Sequence, residues 1–163
     1  MILIKSAGES LAEIKIGSTF GHVYNNNRII HAICHNCPYL KYLKLVLLND
    51  NISEFEKLLI NCHYLNGLFI IIDSLVAFNW DNLFKILTNS SPNSLFKFKI
   101  YSYVATNLKS LKQFFENWKD KHPMLLHLSR VKNVDDLIVK YMKKGRVKKY
   151  INNVYFDEGF EWI

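Results

Sequence analysis

The sequence predicts an α/β fold in which one strand and one helix recur as a unit and stack into a parallel sheet. Two observations carry this. Asn36-Cys37-Pro38-Tyr39-Leu40-Lys41-Tyr42-Leu43-Lys44-Leu45 lines up with Asn61-Cys62-His63-Tyr64-Leu65-Asn66-Gly67-Leu68-Phe69-Ile70, matching at the Asn, Cys, Tyr and two Leu positions. A second phrase, Ile2 to Ile16, aligns without a gap on Ile86 to Ile100, matching at Ile2, Leu3, Ser6, Ser10, Leu11, Lys15 and Ile16. Phrases repeated at a fixed shift are the signature of a repeat architecture.

Each phrase ends in an apolar residue, two free positions, an apolar residue, one free position and an apolar residue. The pattern occurs at Leu11, Ile14, Ile16; Leu40, Leu43, Leu45; Leu65, Leu68, Ile70; Leu95, Phe98, Ile100; and, more weakly, Pro123, Leu126, Leu128. Its first positions are 29, 25, 30 and 28 residues apart. The last two apolar residues are spaced by two, so they share one face of a strand. Between the phrases the spacing changes to three and four, the period of a helix. Ile29, Ile30 and Ile33 make one such stripe; Ile52, Phe55, Leu58 and Leu59 the next; then Leu83, Phe84, Ile86 and Leu87; then Leu108, Leu111, Phe114, Phe115 and Trp118.

Helix punctuation agrees. Ser53 and Glu56 have the spacing of a capping box; Asn79 or Asp81 is placed to start the third helix and Asn107 the fourth. Asp135 and Asp136 suit a helix start by their charge, and Gly145 suits the stop of that helix. Gly17 to Asn27 reads as a loop. Val147 to Ile151 is open between a helical turn and a strand, and 147–163 reads as a C-terminal cap or tail, with Phe156, Phe160 and Trp162 covering the end of the core as terminal repeats must. Because Ile86-Leu87 closes a helix, Met1 to Ile4 reads as the tail of one, so the chain is expected to start inside a repeat. Ile2, Leu3 and Ile4 are then an exposed core edge prone to self-association.

The chain of 163 residues, half apolar and 14% aromatic, reads as a single domain over 1–163. No apolar run approaches the roughly 20 residues of a membrane span, and the N-terminus lacks the pattern of a secretory signal. Three cysteines are too few for a disulfide scaffold. The expected setting is cytoplasmic or nuclear.

Cys34-His35-Asn36-Cys37 with Cys62-His63 has the residue types of a zinc site. Cys37 and Cys62, however, occupy equivalent positions of the repeated phrase, so repetition explains them as small buried side chains at helix ends. At a helix C-terminus the dipole also disfavours thiolate, which argues against redox chemistry. No metal or cofactor is expected. The sequence contains no Gly-x-Ser-x-Gly elbow and no glycine-rich phosphate loop. His22, His31, His35, His63 and His122 lack a recognisable partner in the sequence. A non-catalytic protein is expected.

The net charge is +7. Scattered lysines read first as solvated helix faces, and Lys143-Lys144-Gly145-Arg146-Val147-Lys148-Lys149 as a charged helix end, with nuclear import or phosphate binding as the other uses of such a run.

Apolar residues at the first, fourth and sixth positions of each strand phrase, at this period, resemble the leucine-rich repeat family, and Cys37 and Cys62 resemble the cysteine-containing repeats that follow many F-box domains. The phrases around Cys37-Pro38-Tyr39-Leu40, Leu58-Leu59-Ile60-Asn61-Cys62 and Tyr141-Met142-Lys143-Lys144-Gly145 further resemble the repeat portion of fungal F-box proteins. The resemblance implies a right-handed solenoid of about five ribonuclease-inhibitor-like repeats, with the parallel sheet on the concave face and helices on the convex face. It implies a substrate-recognition role in a cullin-type ubiquitin ligase. The repeat pattern already runs at Leu11, leaving no place for an F-box, so binding of the ligase adaptor is expected only if an F-box lies upstream.

If the fourth and sixth phrase residues face the helices, the third, fifth and seventh face the concave surface. Among these, Tyr42, Phe69, Ile71 and Tyr101 are the expected exposed anchors for a protein partner, and Lys15, Lys44, Lys97 and Lys99 favour an acidic one. Nucleic acid or another polyanion is the alternative partner; no membrane is expected.

Overall fold

The structure is a computed structural model that describes residues 10–17, 26–73, 77–129 and 131–152. Along the chain run β1 (Glu13–Lys15), α1 (Asn26–Asn36), β2 (Tyr42–Leu47), a 3-10 turn (Asn49–Asn51), α2 (Ile52–Asn61), β3 (Gly67–Ile72), α3 (Trp80–Ser90), β4 (Lys97–Ser102), α4 (Leu108–Asn117), β5 (Met124–Leu128), α5 (Asp135–Lys143) and β6 (Val147–Asn152). The six strands form one sheet in chain order, and every pair is parallel.

Parallel neighbours require a crossover between each pair of strands, and here a helix makes it. The register is the one the repeated phrases dictate. Ile14 pairs with Leu43, Leu43 with Leu68, Leu68 with Phe98 and Phe98 with Leu126. A shift of one residue would turn every apolar side chain to the opposite face, so this match fixes which residues enter the core. Val147 to Asn152 resolves as a strand, joined to β5 with a register irregularity between Met124 and Leu125.

Strand residues Leu43, Leu45, Leu68, Ile70, Phe98, Ile100, Leu126 and Leu128 pack in one cluster with Ile30, Ile33, Phe55, Leu58, Leu83, Leu87, Leu111 and Phe114 of the helices. Each such burial contributes roughly 1.5–3 kcal/mol. Aromatic rings fill the space behind β4, with Phe84 and Phe114 stacked at 5.0 Å and Phe98 edge-on to Trp118 at 5.2 Å.

The helix layer is tied together by one recurring device, a hydroxyl donating to a carboxylate of the preceding helix. Ser90 Oγ donates to Glu56 (2.7 Å), Ser110 Oγ to Asp81 (2.5 Å) and Tyr141 OH to Glu116 (2.9 Å). Asn79 caps α3 by accepting from the Asn82 amide, and Asn107 caps α4 by accepting from the Lys109 and Ser110 amides. Gly145, at φ 69°, ends α5 in the left-handed region where a side chain is costly. The Arg146 amide returns to the Tyr141 carbonyl and the Gly145 amide to that of Met142, the paired bonds of a Schellman stop.

The Ser53–Glu56 capping box is not formed. The 3-10 turn runs straight into α2 at Ile52, which puts Ser53 inside the helix, and the residue at the cap position, Asn51, instead accepts from the Leu48 amide. Ile2 to Ile4, the loop core at 18–25, and Phe156, Phe160 and Trp162 lie outside the described residues.

Candidate functional site

Side chains on the second face of the sheet form in-register rows. Lys15, Lys44, Phe69, Lys99 and His127 make one; Val46, Ile71 and Tyr101 make another. Val46, Phe69, Ile71 and Tyr101 cluster apart from the core that the helices pack against. The expected exposure does not hold. Phe69, Ile71, Lys44, Lys99 and Tyr101 are all buried, Phe69 with 0% of its surface accessible. They are thus not free anchors.

The physical reason lies partly in the row itself. Phe69 sits between two lysines on flanking strands, with Lys99 Nζ 4.7 Å and Lys44 Nζ 5.0 Å from its ring centre. The aliphatic stems pack beside the ring while the ammonium groups meet its negative face. In the next row Gly67 stands between Tyr42 and Lys97. Lacking a side chain, it lets Lys97 Nζ come within 5.3 Å of the Tyr42 ring centre. Tyr42 and Lys97 are half-buried. Lys15 stays open at the β1 end and pairs with Glu13 at 2.8 Å.

Cys37 and Cys62 are buried at equivalent helix ends, and Cys62 Sγ approaches the Cys37 carbonyl at 3.8 Å. Burial pushes the Cys62 thiol up to about 12 and raises that of Cys37 as well. Cys34 is partly exposed and accepts from Asn61 Nδ2 at 3.1 Å. His31 stacks on His35 with ring centres 4.1 Å apart. Among the described residues no three His, Cys, Asp or Glu side chains converge as a metal would require, and no helix is long and apolar enough to cross a membrane.

A surface that strand periodicity does not mark lies at the other end of the repeats, in the turns that lead into the strands. A groove of about 830 Å³ runs across the starts of β4, β5 and β6, with Phe96, His122, Leu125, Met142 and Lys148 in its walls. Each turn is pinned by its neighbour: Ser94 Oγ donates to the His63 and Leu65 carbonyls at 2.9 Å, and Arg146 Nη1 to the Lys119 carbonyl at 3.0 Å. Phe96 meets His122 edge-on at 6.4 Å. Towards the first repeats, exposed Tyr39 and Tyr64 lie 5.6 Å apart. The signal available in the sequence was the tyrosine conserved between the two copies of the opening phrase.

Lysines rim this end. Lys97 Nζ lies 5.5 Å from the Phe96 ring centre as well as over Tyr42. Lys121 donates to the Ser91 carbonyl at 2.9 Å and lies 4.9 Å from the Trp118 ring centre. Partial burial holds its amine below the usual lysine range. Among the described residues in the groove wall, Lys148 carries charge and no Asp or Glu does.

No protein family matches the chain, and no curated protein matches it.

Proposed function

We propose that the chain is a non-catalytic protein-binding module of leucine-rich-repeat type, similar in role to the substrate-recognising repeats of an F-box protein. The observation that supports this best is the strict chain-order register from Ile14 through Leu43, Leu68 and Phe98 to Leu126. Such stacking produces long continuous surfaces in place of one enclosed pocket, and repeat proteins use these to hold extended partners. Recruitment of a cullin-ligase adaptor would require an F-box joined to these repeats.

The buried Phe69 row changes where a partner would bind. Phe69, Ile71 and Tyr101 are buried, whereas on the turn side Tyr39, Tyr64 and Met142 are exposed and open to a partner. The net charge of +7 supports a second reading, a basic solenoid that binds nucleic acid or another polyanion.

A salt titration of whatever ligand the purified chain retains separates the two. A polyanion complex with six or more phosphate contacts loses about a thousandfold in affinity between 50 and 200 mM salt. A protein complex seated on aromatic and aliphatic side chains changes far less, and a steep loss would reject the protein-binding reading.

A further inference from the structure

We propose that the groove across the starts of β4, β5 and β6 takes an acidic peptide segment of a partner protein, with one apolar side chain seated against Phe96 and Met142 and flanking carboxylates facing Lys97 and Lys148. This rests on the protein-binding reading and specifies its site and its ligand.

Three observations converge on that occupant. The groove is mainly apolar and deep enough for a side chain, at about 830 Å³. Met142 is 43% exposed at its edge, and a thioether adapts its shape to different apolar partners. The charge is one-sided: Lys148 lies in the wall, the Lys97 ammonium lies over the Phe96 ring, and no carboxylate lines the wall among the described residues. An acidic peptide satisfies both lysines, whereas a basic one would bring like charge onto them without a counter-ion. An apolar anchor inside a polar rim is the usual anatomy of a protein interface.

The site is also held in place. The turn before β4 is fixed by the two Ser94 hydrogen bonds, and the turn before β6 by the Schellman stop at Gly145 and by Arg146. A groove whose walls are already ordered avoids much of the ordering cost of binding.

The test is selection of a random displayed-peptide library on the full chain, followed by fluorescence anisotropy of the enriched peptides on wild type, Met142→Glu and Lys148→Glu. Both positions are exposed, so these variants keep the fold, and unchanged urea midpoints would verify it. Enriched peptides should carry a Leu, Ile, Phe or Met between Asp or Glu residues, and should lose about tenfold or more on Met142→Glu, the scale of an interface anchor. Acidic peptides that bind all three chains equally would overturn the groove while leaving the protein-binding reading intact. Enrichment of basic or uncharged peptides that respond to Met142→Glu would overturn the acidic occupant. Failure to enrich any peptide, together with tight and salt-sensitive binding of a duplex oligonucleotide, would overturn both.

Discussion

Lys99 Nζ lies 4.7 Å from the centre of the Phe69 ring, one strand away in the same row, and Lys44 approaches the ring from the strand on the other side at 5.0 Å. Both lysines are buried, at 5% and 4% exposure. Burying a charge is costly without compensation, so the second face of the sheet is an organised part of the fold. It follows that Phe69 serves stability first.

Phe69→Ala should destabilise the chain by about 3–5 kcal/mol, the cost of removing a fully buried ring and leaving its space empty. Tyr42→Ala, at a half-buried position, should cost markedly less. Urea unfolding midpoints with unchanged slopes measure the difference, and equal losses would show that Phe69 is not enclosed.

Removing a true helix cap is distinguishable from removing a look-alike. Asn79→Ala and Asn107→Ala should each lower stability by about 1 kcal/mol, because each leaves first-turn amides unsatisfied. Ser53→Ala should change it by less than about 0.5 kcal/mol, since Ser53 is exposed and inside α2. Thermal denaturation of the three variants side by side checks the ranking.

The hydroxyl-to-carboxylate bonds between helices predict a third series. Ser90→Ala, Ser110→Ala and Tyr141→Phe should each cost about 0.5–1.5 kcal/mol, with Ser110→Ala and Tyr141→Phe at the upper end because Ser110 and Tyr141 are buried. A double variant of Ser110→Ala with Asp81→Ala should cost less than the sum of the singles if the two groups are partners.

Alkaline pH should weaken the fold. The Cys62 thiol rises from 9.0 to about 12 through burial, and the Tyr141 hydroxyl from 10.0 to about 12 through burial and its bond to Glu116. Both groups are neutral when protonated, and the folded state holds that proton more tightly. Their contribution is therefore complete below about pH 9 and is lost as pH rises towards 12, at about 1.4 kcal/mol per pH unit for each group while only the unfolded form ionises. Urea midpoints measured from pH 8 to 11 test this. In the same window iodoacetamide should modify partly exposed Cys34 in the native chain, and reach Cys37 and Cys62 only on unfolding.

Much of the fold was legible because the chain repeats itself. The Asn36 and Asn61 phrases are copies, and their shift is the β2 to β3 register; Asn79, Asn107 and Gly145 act where their conformational preferences put them. The Ser53–Glu56 box failed because spacing alone cannot reveal a 3-10 turn that starts the helix earlier, nor that Glu56 is drawn to Ser90 on the next helix. Alternation told which face Phe69 occupies, but not whether that face is open, since burial depends on what else reaches it. The groove was hidden for a related reason: Phe96, His122, Met142 and Lys148 meet only after two crossovers, through α4 and α5, and turn residues have no period to betray them.

Phe69 is enclosed on the second face of the sheet, between Lys44 and Lys99 of the flanking strands. Proton NMR of the assigned chain tests this enclosure most directly, through the ε-methylene resonances of Lys44 and Lys99. Lysines held over the ring give upfield ring-current shifts for both and nuclear Overhauser contacts to the Phe69 ring, all removed by Phe69→Leu. Resonances at the positions of free lysines, without contacts to that ring, would contradict the enclosure.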